Sequence, residues 1–208
     1  INEYKLLIQE KGKINSKDSL GEFIRSLNPI ATISEKTFIE NQLKLADIKL
    51  MQQFFYNFWT SRSVLSPEQA WMNYYNEVKK VNKYFNVWAL KGYETDRGRI
   101  YLQYGPPDKR EEFPNEPNAY PYEMWFYYKL VDNSGLIPSQ TNRKFVFYNP
   151  DIVTNNYKLL HSNAQGETYN SRWEMELHKR TTQSHDFEKS DAPQHYGGNA
   201  NEEFNNPR

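Results

Sequence analysis

Between Gly92 and Arg110 the chain sets Asp96, Arg97, Arg99, Asp108 and Arg110 among Gly92, Gly98 and Gly105. Guanidinium forks bind carboxylates and phosphates bidentately, so these residues would form an anion or carboxylate site if the two ends of the segment converge. The same residue types serve structure equally well. Thr95 and Asp96 carry short polar side chains that satisfy turn amides. Gly98 permits close backbone approach. Arg97 and Arg99 lie two apart, so in a strand both point to one face and pair with acids across the sheet. Asp108 and Glu123 are a conceivable acid–base pair for glycoside hydrolysis, but an Asp after Gly-Pro-Pro is ordinary turn chemistry.

Other chemistries find little to work with. The four histidines, His161, His178, His185 and His195, show no tight metal-ligand spacing. The sequence contains no Cys, which excludes disulfides, thiolate metal sites and Cys nucleophiles. Gly197-Gly198 lies in a polar stretch rather than between a strand and a helix, and no G-x-S-x-G elbow occurs. No metal and no cofactor are expected. Lys and Arg total 26 and Asp and Glu total 26, so no global field recruits nucleic acid or an anionic membrane. Basic residues look scattered rather than banked with aromatics, which speaks against nucleic acid. No run of about 18 apolar residues exists to span a bilayer. The chain opens at Ile1 without Met or an apolar leader, as expected of a processed or trimmed form, which could have lost a signal peptide.

Aromatics make up 16% of residues, while the mean hydropathy is -0.93. A compact aromatic core with long polar segments outside it reconciles the two values. Half-buried Tyr and Trp then serve as contact anchors, and Tyr93 and Trp125 are candidates.

Several elements must position these residues. Ser19 would cap a short helix through Leu27, stopped by Asn28-Pro29. A longer amphipathic helix is expected from a Ser34 cap through Phe38, Leu45, Ile48, Met51 and Phe55 to Trp59. A second runs from Pro67, behind Ser66, to Phe85. Residues 99–104 read as a strand closed by Gly105-Pro106-Pro107, and residues 109–121 as a charged loop. Strands follow at 122–128, 144–148 and, shorter, 157–161, and then a short helix around Trp173. Connections of this length suit an antiparallel meander. The expected class is α+β: two amphipathic helices on one face of a small antiparallel sheet of three or four strands, with a polar extended C-terminal tail. The expected division is a peripheral segment 1–30, a domain 31–178 and the tail 179–208. Such a tail is too polar to fold alone. Its aromatics Phe187, Tyr196 and Phe204 are natural anchors, either on a partner or back on the domain itself.

Gly92-Tyr93-Glu94-Thr95-Asp96 resembles the signature that names the GWxTD domain family, with Tyr93 standing where the family has Trp. The similarity continues through Phe58-Trp59 and Asn73–Tyr75 upstream. Downstream it continues through Asp96–Tyr101, Tyr104–Asp108, Tyr122–Trp125, Phe145–Phe147, His161-Ser162 and Gly166-Glu167. It covers roughly residues 38–175. The resemblance implies an exported envelope protein of gram-negative bacteria, in the periplasm or at the outer membrane, and brings no activity with it. The order of elements is also similar to that of small outer-membrane assembly lipoproteins, by analogy alone.

The expectation is therefore a non-enzymatic protein-interaction module, a subunit of an envelope assembly or transport complex whose partners are other envelope proteins. Its candidate contact residues are Tyr93, Asp96, Arg97, Arg99, Asp108, Trp125, Phe187, Tyr196 and Phe204. The alternative is a small hydrolase or carbohydrate-acting enzyme using the Asp96/Arg97/Arg99/Asp108 loop.

Overall fold

A computed structural model describes residues 16–151, 153–178 and 199–205. Helices α1 (Lys17–Ser26), α2 (Ile33–Thr37), α3 (Ile48–Arg62), α4 (Pro67–Phe85) and α5 (Asp96–Tyr104) come first. Strands β1 (Lys109–Phe113), β2 (Tyr122–Leu130), β3 (Gln140–Tyr148) and β4 (Lys158–Ser162) follow, and then α6 (Trp173–Leu177) and α7 (Asn199–Asn205). The strands form one antiparallel sheet in the order β1-β2-β3-β4, the meander expected from the connection lengths. The class is α+β.

Local chemistry sets the helix starts. The Ser16 hydroxyl accepts the Ser19 amide at the head of α1. Thr32 and Glu35 form a reciprocal capping box on α2, and the Asp47 carboxylate accepts the Leu50 amide on α3. The single helix expected from Ser34 to Trp59 is therefore two helices. A π-turn over Phe38–Gln42 and a second cap at Asp47 divide it, leaving Leu45 almost fully exposed. Glu35 rejoins the pieces. Arg62, in the last turn of α3, donates to both Glu35 oxygens at 2.8 and 2.9 Å and to the Ile30 carbonyl at 3.0 Å. Burial alone would raise the Glu35 carboxyl, but the bonds from Arg62 and Thr32 together with the Arg62 charge draw it below its ordinary value.

Three clusters divide the interior. The first is wholly helical: Leu20, Ile24 and Leu27 of the α1 region meet Met51, Phe55, Phe58 and Trp59 of α3 and Trp71 of α4. Residues 17–30, expected to be peripheral, are part of this core; Leu20, Ile24 and Leu27 are completely buried. The second cluster lies against the sheet. Val78, Val81 and Phe85 of α4 and Ile100, Leu102 and Tyr104 of α5 cover Trp125, Tyr127, Phe145 and Phe147. The third occupies the opposite face, where Trp173 and Leu177 of α6 and Ala200 and Phe204 of α7 cover Tyr122, Met124, Phe126, Val146 and Leu160. The helix packed on the sheet beside α4 is thus α5; α3 belongs to the helical cluster.

Two elements differ in kind from expectation. Residues 99–104 are helix rather than strand. The Thr95 hydroxyl caps the start, Asp96 sits in the first turn where the helix dipole favours an acid, and Gly105 ends it at φ 86°. This helix is wedged between α4 and the sheet and buries Arg97, Gly98, Ile100, Leu102, Gln103 and Tyr104, which lie on most of its sides. Residues 109–113 are an edge strand rather than loop, paired from Lys109↔Phe126 to Phe113↔Tyr122.

Candidate functional site

The glycines of the 92–108 stretch set the geometry. Gly92, Val81 and Gly98 bring three backbone segments into contact. A Cβ on Gly98 would lie 1.8 Å from the Gly92 carbonyl oxygen, and one on Gly92 would lie 2.2 Å from the Val81 carbonyl oxygen. Only glycine fits at either point. Thr95 closes the knot: its hydroxyl donates to the Gly92 carbonyl at 2.7 Å and accepts the Gly98 amide at 3.1 Å. The Asn82 side chain of α4 accepts the Tyr93 amide at 3.3 Å. Tyr93 is buried, and burial, with the Glu94 charge acting the same way, pushes its hydroxyl up to about 12 against a hydrogen bond from Arg25.

Each charged residue of the stretch then takes a different structural partner. Asp96 accepts the Leu159 amide of β4 at 2.8 Å. Arg97, 5% exposed, donates to Glu123 at 2.6 Å and to the Asn155 carbonyl at 3.3 Å, with its guanidinium 4.2 Å from the Tyr157 ring centre. Arg110 reaches the same Glu123 from β1 with two bonds of 3.0 and 3.1 Å, and the Trp125 indole donates to it at 3.1 Å. Arg99 makes a bidentate pair with Glu167 at 2.7 and 2.9 Å, and Tyr104 donates to that carboxylate at 2.7 Å. Burial alone would lower the Arg99 guanidinium, but Glu167 outweighs it and holds the group firmly charged. Asp108 accepts the Tyr128 amide at 2.7 Å, while its own amide donates to the Phe126 carbonyl.

The family profile of the GWxTD domain matches residues 6–180. The chain belongs to the GWxTD domain family. No curated protein and no solved structure matches it.

In this GWxTD domain the signature is a packing knot. Gly92 lets α4 approach, residue 93 fills the core, Thr95 caps α5 and Asp96 ties α5 to β4. Asp96, Arg97, Arg99 and Asp108 are directed to four separate partners, so the convergent anion site that their spacing allowed is not assembled. Asp108 and Glu123 are likewise committed, one to a β2 amide and the other to two guanidinium groups and an indole. The partners Glu123 and Glu167 carried no signal in the sequence that would have joined them to Arg97 and Arg99.

The aromatic candidates divide. Trp125 is completely buried and Tyr93 nearly so, which makes both part of the interior rather than contact anchors. Phe204 folds back on its own domain: its ring lies 5.2 Å from His161 and 5.3 Å from Trp173, and Lys144 donates to its carbonyl. Phe187 and Tyr196 lie outside the described residues. His161 stacks on Trp173 at 5.7 Å and accepts the Asn170 amide on Nδ1 at 3.1 Å. Burial lowers its pKa.

Among the described residues no group of three or more acids and histidines gathers to hold a metal, and no helix is long and apolar enough to cross a membrane. A shallow groove of about 640 Å³ lies on α4, lined by Asn73, Asn76, Glu77, Lys79, Lys80 and Lys83.

Proposed function

We propose that this GWxTD domain is a non-enzymatic protein-interaction module, acting as a subunit of a cell-envelope assembly whose other members are envelope proteins. One observation carries the reading: every charged side chain of the 96–108 stretch is spent inside the domain, on Leu159, Glu123, Glu167 and Tyr128, so the stretch builds a rigid body rather than a reaction site. Catalysis requires polar groups that converge on a substrate and keep capacity to bind it. The envelope setting is supported by the resemblance to exported gram-negative proteins. The hydrolase alternative depended on the four charges meeting in one concave site, and their separate partners give it no support.

The test is affinity capture of the tagged full chain from native envelope, followed by size separation and mass spectrometry. The reading expects the chain in a larger species with the same companion proteins at a constant ratio. Recovery of the chain alone, at the size of a monomer, would contradict it.

A further inference from the structure

The end of α4 and the turn after it present an unusual surface. Trp88 is 98% exposed and Tyr84 68% exposed. A large aromatic left wholly in water is a departure from the usual placement of such residues. The turn carrying Trp88 is not a loose loop. Val87 and Leu90 exchange both backbone hydrogen bonds, at 3.1 and 3.3 Å, and the buried side chains of Phe85 and Val87 fix its base. The indole is therefore held outward by a formed scaffold.

Charge completes the surface. Between Glu77 and Glu94 the sequence has no acid and four lysines, Lys79, Lys80, Lys83 and Lys91. Lys80 pairs with Glu77 and Lys91 with Glu22. Among the described residues Lys79 and Lys83 have ring contacts, with Tyr75 and Tyr84, and no ion pair. Lys79 and Lys83 line the α4 groove together with Lys80. The neutral total of the chain conceals this local excess.

We infer that this end of the domain docks on an anionic lipid bilayer, with Trp88 and Tyr84 entering the headgroup region and Lys79 and Lys83 meeting lipid phosphates. Trp and Tyr favour the membrane–water interface because one end of each ring system is apolar and the other polar, and lysine stems snorkel beside them. Shape selects lipid over protein. A side chain that protrudes from a tight turn needs a matching pocket in a protein partner, whereas a bilayer yields to any convex tip. The inference does not depend on the interaction-module reading, because purified chain and lipid alone decide it.

The full chain is mixed with vesicles of phosphatidylcholine, or of phosphatidylcholine and phosphatidylglycerol in equal parts, and binding is read by sedimentation and tryptophan emission. The other four tryptophans, Trp59, Trp71, Trp125 and Trp173, are buried, so a blue shift on lipid addition reports Trp88. Binding should favour the anionic vesicles and weaken with salt. Trp88→Ser should lower partitioning by about tenfold or more and remove the shift. The charge reversal Lys79→Glu/Lys83→Glu should lower it by roughly thirtyfold or more, at about a fivefold loss for each lysine removed. All three positions are exposed, so an unchanged near-UV spectrum confirms that the variants are folded. Absence of binding, equal binding to both vesicle types, or binding insensitive to both variants overturns the inference.

Discussion

Arg97 of α5 and Glu123 of β2 meet at 2.6 Å with side chains only 6% and 4% exposed, and this contact fastens the signature helix to the middle of the sheet. The two are not equivalent. Glu123 also receives Arg110 and the Trp125 indole, whereas Glu123 is the only carboxylate seen to pair with Arg97 among the described residues.

That asymmetry orders two substitutions. Glu123→Leu strands a buried guanidinium and should cost about 3–5 kcal/mol, the usual loss when one partner of a buried pair is removed. Arg97→Met leaves Glu123 still paired with Arg110 and should cost less. Urea unfolding of both variants checks the order; equal costs near zero would mean that the pair does not hold α5 in place.

The knot at Gly98 is tested by one added methyl group. Gly98→Ala drives a Cβ to 1.8 Å from the Gly92 carbonyl oxygen, which forces backbone apart and should cost at least the 1–3 kcal/mol or so typical of overpacking. Gly135→Ala is the control. Nothing lies within 4 Å of its added Cβ, and only its left-handed φ of 72° opposes the change, at about 1–2 kcal/mol. In thermal melts Gly98→Ala should unfold at a lower temperature than Gly135→Ala.

These elements also show what could be read from the sequence alone. Helix α4 was legible because Pro67 marks its first turn and its buried residues recur at helical spacing. Strands β2, β3 and β4 were legible as aromatic or apolar runs between turn residues. Helix α5 was not, because burial on most sides erases the polar face that periodicity detects, and Ile100, Leu102 and Tyr104 then imitate the alternation of a strand. Strand β1 was hidden because Lys109-Arg110-Glu111-Glu112 has no apolar alternation; pairing with β2 makes it a strand. The charges of the candidate site were visible but their partners were not, since Arg97 and Arg99 find Glu123 and Glu167 26 and 68 residues away.

The buried His161 sets a pH dependence. Its pKa lies below the ordinary 6.5 because burial disfavours the charged ring, and protonating Nδ1 would break the bond from the Asn170 amide. With the folded value depressed, the unfolded chain takes up the proton first. Stability is therefore full above about pH 6.5 and falls as the pH drops through the lowered folded value. Glu35 acts in a separate window, below its ordinary 4.5. Unfolding free energies measured from pH 8 to pH 5 should decline in the native chain and flatten in His161→Gln; parallel slopes would show that His161 is not the group responsible.

Phe204 holds α7 on the sheet through Trp173 and His161. Phe204→Ala should expose Trp173, shift its emission to the red and speed amide exchange across residues 199–205. The cost in global stability should be only about 1–2 kcal/mol, since the ring is half-buried. Unchanged exchange over 199–205 would place the anchor elsewhere.

The central claim is that the charges of the 96–108 stretch build the domain and do not act on a ligand or partner. Replacing the half-buried Arg99–Glu167 pair as a whole tests it, because exchanging both partners for apolar groups of similar size leaves no charge unpaired, whereas removing Arg99 alone strands the buried Glu167 carboxylate. The decisive measurement is the yield of companion envelope proteins captured by folded Arg99→Met/Glu167→Leu chain beside native chain. The account predicts the same companions at the same yield. A folded double variant that captures none of the companions taken by the native chain would contradict it.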